Sequence, residues 1–127
     1  MMSLPYFKIN TVLNNWASNT PSILDFTVEN VLVAVSLNNT YYDKVYRFLM
    51  SKVGFELIAK KILLCPSNHK CDEFLLDEPI EEEYFDCNCG ENDFEPENFI
   101  LAFSFTEDYK SEALKKKMSS LPIYQLV

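Results

Sequence analysis

Glycine and histidine are scarce in this sequence, which contains two glycines, Gly54 and Gly90, and one histidine, His69. A loop that wraps a phosphate group needs several closely spaced glycines, so nucleotide-binding loops of that kind are excluded. A catalytic cysteine would need His69 held against Cys65 or Cys71 and a third orienting group, and the sequence offers no second histidine to support such a pair. We therefore expect a protein that is not an enzyme.

Long apolar runs are also absent, because polar residues interrupt every hydrophobic stretch well before the roughly 20 residues that a membrane helix needs. The first residues, Met1 to Tyr6, lack the basic start and the apolar run of a signal peptide. We therefore expect a soluble, cytoplasmic protein with no membrane partner. In that reducing compartment disulfides are rare, which favours metal binding for clustered cysteines.

Basic residues are missing from one long segment. Between Asp72 and Glu97 there are twelve acidic residues and no Lys, Arg or His, and the whole chain has a formal net charge of −8. Tight DNA binders usually carry a basic patch that neutralises phosphates, so nucleic acid is a disfavoured partner. The usual role of such a segment is a solvated face. The alternative is an acidic DNA-mimic or inhibitor surface that contacts a basic partner.

All four cysteines lie in two short clusters. Cys65 and Cys71 flank a five-residue loop, and Cys87 and Cys89 follow sixteen residues later. Two cysteine-bearing turns can each supply two thiolates to one tetrahedral ion. We predict a structural Zn²⁺ site formed by Cys65, Cys71, Cys87 and Cys89, with His69 as a substitute ligand if Cys65 or Cys71 points away.

Three other interpretations of the cysteines stay open. The thiols could remain free and buried in an aromatic core, since free cysteine behaves as a small hydrophobe. They could form disulfides, for which four cysteines allow three pairings. Cys87 and Cys89 could also act as a thiol-based redox switch. The aromatic residues of the first alternative are Phe74, Tyr84, Phe94 and Phe99.

Apolar residues at three- and four-residue spacing predict three helices before the first cysteine. The first covers residues 4–18. The second follows Asp25 or Thr27, either of which can cap it, and runs to Leu37. The third opens with a capping-box spacing from Thr40 to Asp43 and stops before Gly54. Three short helices of this kind are the opening of a helix-turn-helix domain.

Extended patterns predict the strands. Residues 55–64 predict a strand or a pair of strands that leads into Cys65. Residues 74–76 and 81–87 predict two short strands around an acidic turn. Residues 99–105 predict the clearest strand, because aromatic residues recur at alternate positions.

The end of the chain predicts a weakly amphipathic helix over residues 110–119. The apolar tail from Leu121 to Val127 is expected to dock on the body or on a partner. The predicted fold class is α+β. An N-terminal, three-helix, winged-helix-like part covers residues 1–64, and a small antiparallel, zinc-ribbon-like sheet with a C-terminal helix covers residues 65–127.

Tyr41, Lys44 and Arg47, on or beside the third predicted helix, are the candidate partner-binding residues. Tyrosine and arginine are residue types that anchor protein interfaces. The basic pair could instead contact phosphates, so a helix-turn-helix transcriptional regulator is the alternative function. The acidity of the chain favours a protein partner over nucleic acid. That partner could also be a second copy of this chain, so a homo-oligomer is a further alternative.

The pairs Cys65-Pro66 and Cys89-Gly90 lie in a layout of three helices, strand, cysteine turn, strands, cysteine turn and aromatic strand. This layout is similar to small winged-helix plus zinc-ribbon accessory proteins of bacterial defence and mobile-element loci. The cysteine spacing departs from the usual ribbon, in which two residues separate the cysteines of each turn. The resemblance implies a non-enzymatic adaptor or regulator beside a larger effector, as in antiviral defence.

Overall fold

The computed structural model describes residues 3–19 and 23–119, and these residues form four α-helices and a three-stranded antiparallel sheet. The α+β class with a C-terminal helix is therefore confirmed. The helices are α1 (Tyr6–Ser18), α2 (Val28–Ala34), α3 (Tyr42–Met50) and α4 (Glu107–Ser119), and the strands are β1 (Leu57–Leu64), β2 (Lys70–Leu75) and β3 (Asn98–Phe105).

Helix α2 begins at a capping box. The Thr27 hydroxyl accepts a hydrogen bond from the Asn30 backbone N–H at 3.2 Å, and the Asn30 side chain accepts one from the Thr27 N–H at 2.9 Å. These bonds satisfy N–H groups that the first turn of a helix leaves free. The helix ends at Ala34, before the predicted Leu37, because Ser36 adopts a left-handed φ of 59°.

The start of α3 differs from its prediction. The Asn38 side chain accepts a hydrogen bond from the Thr40 N–H at 3.0 Å and so caps a short 3₁₀ helix that precedes α3. The predicted capping box from Thr40 to Asp43 is therefore wrong, and Asp43 lies 3.7 Å from Arg47 on the surface of α3. Asparagine competes well for this role because its short side chain reaches nearby backbone N–H groups.

The sheet has the strand order β2-β1-β3, with β1 in the centre. Strand β2 begins at Lys70, earlier than predicted, so Cys71 lies within it. The strand predicted over residues 81–87 does not form, and a single bridge between Phe85 and Phe94 is its only ladder contact in the described chain. Glu81, Glu82 and Glu83 are all exposed, so this segment has no apolar face to bury against a sheet.

One face of the sheet is shared by two hydrophobic clusters. Alternate residues of a strand point to the same side, so Leu57, Ala59 and Leu63 of β1 face the same way. Leu57 and Ala59 pack with Phe103 and the helices in the helical cluster, and Leu63 packs with the cysteine segment in the cysteine cluster. The cysteine cluster consists of Leu63, Cys65, Phe85, Cys87 and Phe94, with Cys71, Phe74 and Ile80 against it.

Ion pairs fasten the link between α1 and α2 to the sheet. The Asp25 carboxylate lies 3.7 Å from the Lys60 ammonium and 3.3 Å from the Lys70 ammonium, and Lys60 also lies 3.1 Å from Glu73. The Asp25 and Lys60 side chains are only 18% and 13% exposed, so solvent screens this pair less than an ordinary surface pair.

The C-terminal tail was predicted to dock on the body or on a partner, and the chain was predicted to have no membrane helix. The tail from Leu121 to Val127 lies outside the described residues. Among the described helices, none combines the length and the apolar character that crossing a bilayer requires.

Candidate metal centre

The chain reverses between β1 and β2 in a hydrogen-bonded turn that carries Cys65. The Asn68 N–H donates to the Cys65 carbonyl at 2.8 Å, and the Cys65 N–H donates to the His69 carbonyl at 3.0 Å. Asn68 has a φ of 65°, a left-handed conformation that asparagine tolerates better than most residues. The His69 N–H donates to the Cys65 sulfur at 3.4 Å, so the turn points backbone dipoles at that sulfur.

A second turn repeats this hydrogen-bond pattern around Cys87. The Gly90 N–H donates to the Cys87 carbonyl at 3.0 Å, the Cys87 N–H donates to the Glu91 carbonyl at 2.6 Å, and Gly90 has a φ of 106°. Each turn therefore has cysteine in its first position and a left-handed residue in its fourth. The Ser67 hydroxyl donates to the Glu91 carboxylate at 2.9 Å and joins the two turns.

The two turns bring the cysteine sulfurs together. The Sγ atoms of Cys65 and Cys89 are 3.6 Å apart, and the sulfurs of Cys65, Cys71 and Cys87 all lie within 4.8 Å of one another. A tetrahedral zinc ion with bonds of about 2.3 Å places its sulfur ligands about 3.8 Å apart. All four cysteines are free thiols, so the structure contains no disulfide among them.

Cys71 reaches this centre because β2 bulges. Leu63 pairs with Asp72 and Leu64 pairs with Lys70, so Cys71 is an extra residue opposite neither. A bulge redirects the side chain that it carries. It therefore compensates for the five-residue gap between Cys65 and Cys71, which is wider than the gap of a standard ribbon turn.

His69 also belongs to the candidate metal centre. Its Nδ1 atom is 3.7 Å from the Cys65 sulfur, and the ligand atoms of Cys65, His69 and Cys89 all lie within 4.8 Å of one another. We expected His69 to substitute only if Cys65 or Cys71 pointed away. Both of these sulfurs lie in the candidate metal centre, so that condition is not met. His69 instead lies beside Cys89.

The centre has a buried side and an exposed side. Cys65 and Cys87 are 0% and 7% exposed, whereas Cys89 and His69 are exposed. Cys71 is half-buried between them. An ion bound here would be shielded by the cysteine cluster on one side and would meet solvent on the other.

The pKa values of the Cys65 and Cys71 thiols are shifted in opposite directions. Burial opposes ionisation of Cys65, but hydrogen bonds from the backbone and side chain of His69, and from Cys89, lower the pKa of Cys65 to about 6. Burial, followed by contact with the Cys87 thiol, raises the pKa of Cys71 to about 12. These hydrogen bonds therefore favour the Cys65 thiolate, whereas ionisation of Cys71 is opposed unless a cation supplies compensating charge.

The pKa of Cys89 responds to opposing influences. A hydrogen bond from the Glu91 backbone lowers it, but partial desolvation of the sulfur and the neighbouring Cys87 and Cys65 thiols together raise it. A bound divalent cation would reverse that balance, because metal binding displaces protons from its thiol ligands. Thiolates and imidazole at these distances suit zinc rather than magnesium or calcium, which prefer oxygen ligands.

The candidate partner-binding residues lie in the helical part, and none contributes a ligand atom to the centre. Tyr41 is half-buried and packs against the helical cluster. Lys44 and Arg47 are exposed on α3 and border a shallow pocket with Tyr6 and Phe48. Partner binding by Tyr41, Lys44 and Arg47 stays a prediction.

Sequence reasoning missed the equivalence of the two turns. Its signal is a shared pattern, in which Cys65 and Cys87 are each followed three positions later by a residue that accepts a left-handed backbone, Asn68 and Gly90.

The comparison of this chain with protein-family models, with curated proteins and with solved structures found no match.

Proposed function

We propose that this protein is a non-enzymatic interaction module, acting as an adaptor or regulator, whose acidic β part is fixed by one structural zinc ion. Two groups of donors that meet at Cys65 carry the proposal: the sulfurs of Cys65, Cys71 and Cys87 lie within 4.8 Å of one another, and the Cys89 sulfur lies 3.6 Å from that of Cys65. Four protein ligands leave no coordination position for a reacting water, so a zinc ion in this site stabilises the fold and performs no chemistry.

The helical part supports a winged-helix-like arrangement. Three helices precede the β1–β2 hairpin, which is the order of helices and wing in that architecture. The turn at the end of this hairpin carries Cys65, so the wing and the zinc-ribbon-like part share a strand pair. The role that the resemblance implies is that of an adaptor beside a larger effector.

The lysines of β1 favour a protein partner over DNA. Lys60 lies within 4 Å of both Asp25 and Glu73, and the Lys61 ammonium donates to the Glu78 carbonyl at 2.6 Å. These contacts occupy the two basic side chains that a DNA-binding wing would direct at phosphates. Affinity for DNA depends largely on how many phosphates are neutralised, and the long acidic segment opposes such binding.

In a gel-shift assay at near-physiological salt, we expect the zinc-loaded protein not to retain duplex DNA. The Lys44→Glu and Arg47→Glu variants should behave like the wild type, because no phosphate contact is lost. Retention of duplex DNA by the wild type, together with its loss in Lys44→Glu, would instead identify a DNA-binding regulator. A repeat at low salt controls for weak, non-specific attraction.

A further inference from the structure

The cysteine centre offers more ligand atoms than a tetrahedral ion uses. The Cys65 sulfur is 3.6 Å from the Cys89 sulfur and 3.7 Å from His69 Nδ1. Around a tetrahedral zinc ion, two sulfurs are about 3.8 Å apart and a sulfur and an imidazole nitrogen about 3.6 Å apart. Cys89 and His69 are therefore both at ligand distance from the sulfur that the two groups of donors share.

These two competing donors are also the exposed ones. Cys65 and Cys87 are enclosed by the cysteine cluster, whereas Cys89 and His69 are in contact with solvent. A reagent in solution therefore reaches the Cys89 sulfur before it reaches the buried ligands. Loss of Cys89 would leave an open position on the side of the ion where His69 lies.

The backbone of His69 is already fixed for this role. Its N–H donates to the Cys65 sulfur at 3.4 Å, and its carbonyl accepts a hydrogen bond from the Cys65 N–H at 3.0 Å. Coordination by His69 thus requires only adjustment of its side chain. A ligand that needs no backbone movement binds with little loss of conformational freedom.

We propose that His69 is a reserve ligand that takes the fourth coordination position when Cys89 is replaced by a residue that does not bind zinc. The site then changes from four cysteines to three cysteines and one histidine and keeps its ion. The inference rests on the proposed zinc site and adds to it a reason why the exposed side of that site contains two donors.

The test is zinc content, measured by native mass spectrometry, in the wild type, Cys89→Ser, His69→Ala and the double variant. We expect one zinc per chain in the wild type and in both single variants, and loss of zinc in the double variant. The matched control combines His69→Ala with Asn88→Ala, an exposed residue of the same turn, and should keep its zinc.

Cobalt substitution counts the thiolate ligands that remain. In Cys89→Ser, the thiolate-to-cobalt charge-transfer absorption should fall to about three quarters of the wild-type intensity, because three of four thiolates remain. Loss of zinc from Cys89→Ser alone would show that His69 does not substitute. Loss from His69→Ala alone would show that His69 is a primary ligand. Either result overturns the reserve role while leaving the zinc site, whereas a wild type without zinc overturns both.

Discussion

Removal of the metal by a strong chelator is expected to abolish hydrogen-exchange protection at the backbone amides of Phe85, Cys87, Gly90 and Phe94. Within residues 76–97, only Phe85, Cys87 and Phe94 are buried, and the segment forms no regular strand or helix. Ordering each residue costs about 1–2 kcal/mol of backbone entropy. Burial of two phenylalanines cannot offset that cost along the whole segment, so we expect its order to depend on the proposed ion.

Exchange measured by mass spectrometry, with and without chelator, tests this dependence. The amides that pair β1 with β3 serve as the internal control, because the eight-residue register from Leu57 opposite Phe105 to Leu64 opposite Asn98 contains no metal ligand. We expect protection to persist over most of this ladder. Unchanged protection at Phe85 and Phe94 after the metal is gone would show that aromatic packing alone orders the segment.

The second large effect is expected from Phe103→Ala, which should lower the free energy of unfolding by about 3–5 kcal/mol. Phe103 is 0% exposed, and its ring stacks on Phe26 at a centroid distance of 5.8 Å. Its removal leaves a cavity between the sheet and the helices. Because the helical cluster contains no metal ligand, folded Phe103→Ala should still bind one zinc ion.

Urea unfolding followed by circular dichroism measures this effect, and zinc content is determined on the same samples. Phe99→Ala is the matched control, since Phe99 lies on the same strand but is 36% exposed, and it should cost roughly 1 kcal/mol or less. A Phe103→Ala protein that loses both its helices and its zinc under native conditions would show that the two clusters unfold as one unit. That outcome would contradict the expectation that the helical cluster and the cysteine cluster are stabilised independently.

The sequence allowed prediction of features that depend on local patterns. Helical periodicity located α1 and α3, and alternating aromatic residues located β3, because each pattern reports a buried face of one element. The prediction of which aromatic residues pack around the cysteines was less accurate. Tyr84 and Phe99 are 57% and 36% exposed, and Phe85 is buried instead. The exposure of a residue in an irregular segment depends on distant contacts that periodicity does not report.

The geometry of the centre could be predicted only in part. The clustering of four cysteines indicated a shared site, and the structure brings them together. The bulge at Cys71 and the position of His69 beside Cys89 were not predictable, because both follow from how β1 pairs with β2 and from how two turns meet across the fold. The strand predicted over residues 81–87 was wrong for a related reason, because Glu81, Glu82 and Glu83 are exposed and leave that segment without an apolar face.

The most direct test of the account is the zinc content of protein purified without added metal. We predict one zinc ion per wild-type chain. Cys65→Ser should contain none, because Cys65 belongs to both groups of converging donors. A folded wild-type protein that contains no zinc, takes up none when it is supplied, and presents four thiols to a thiol reagent would contradict the account.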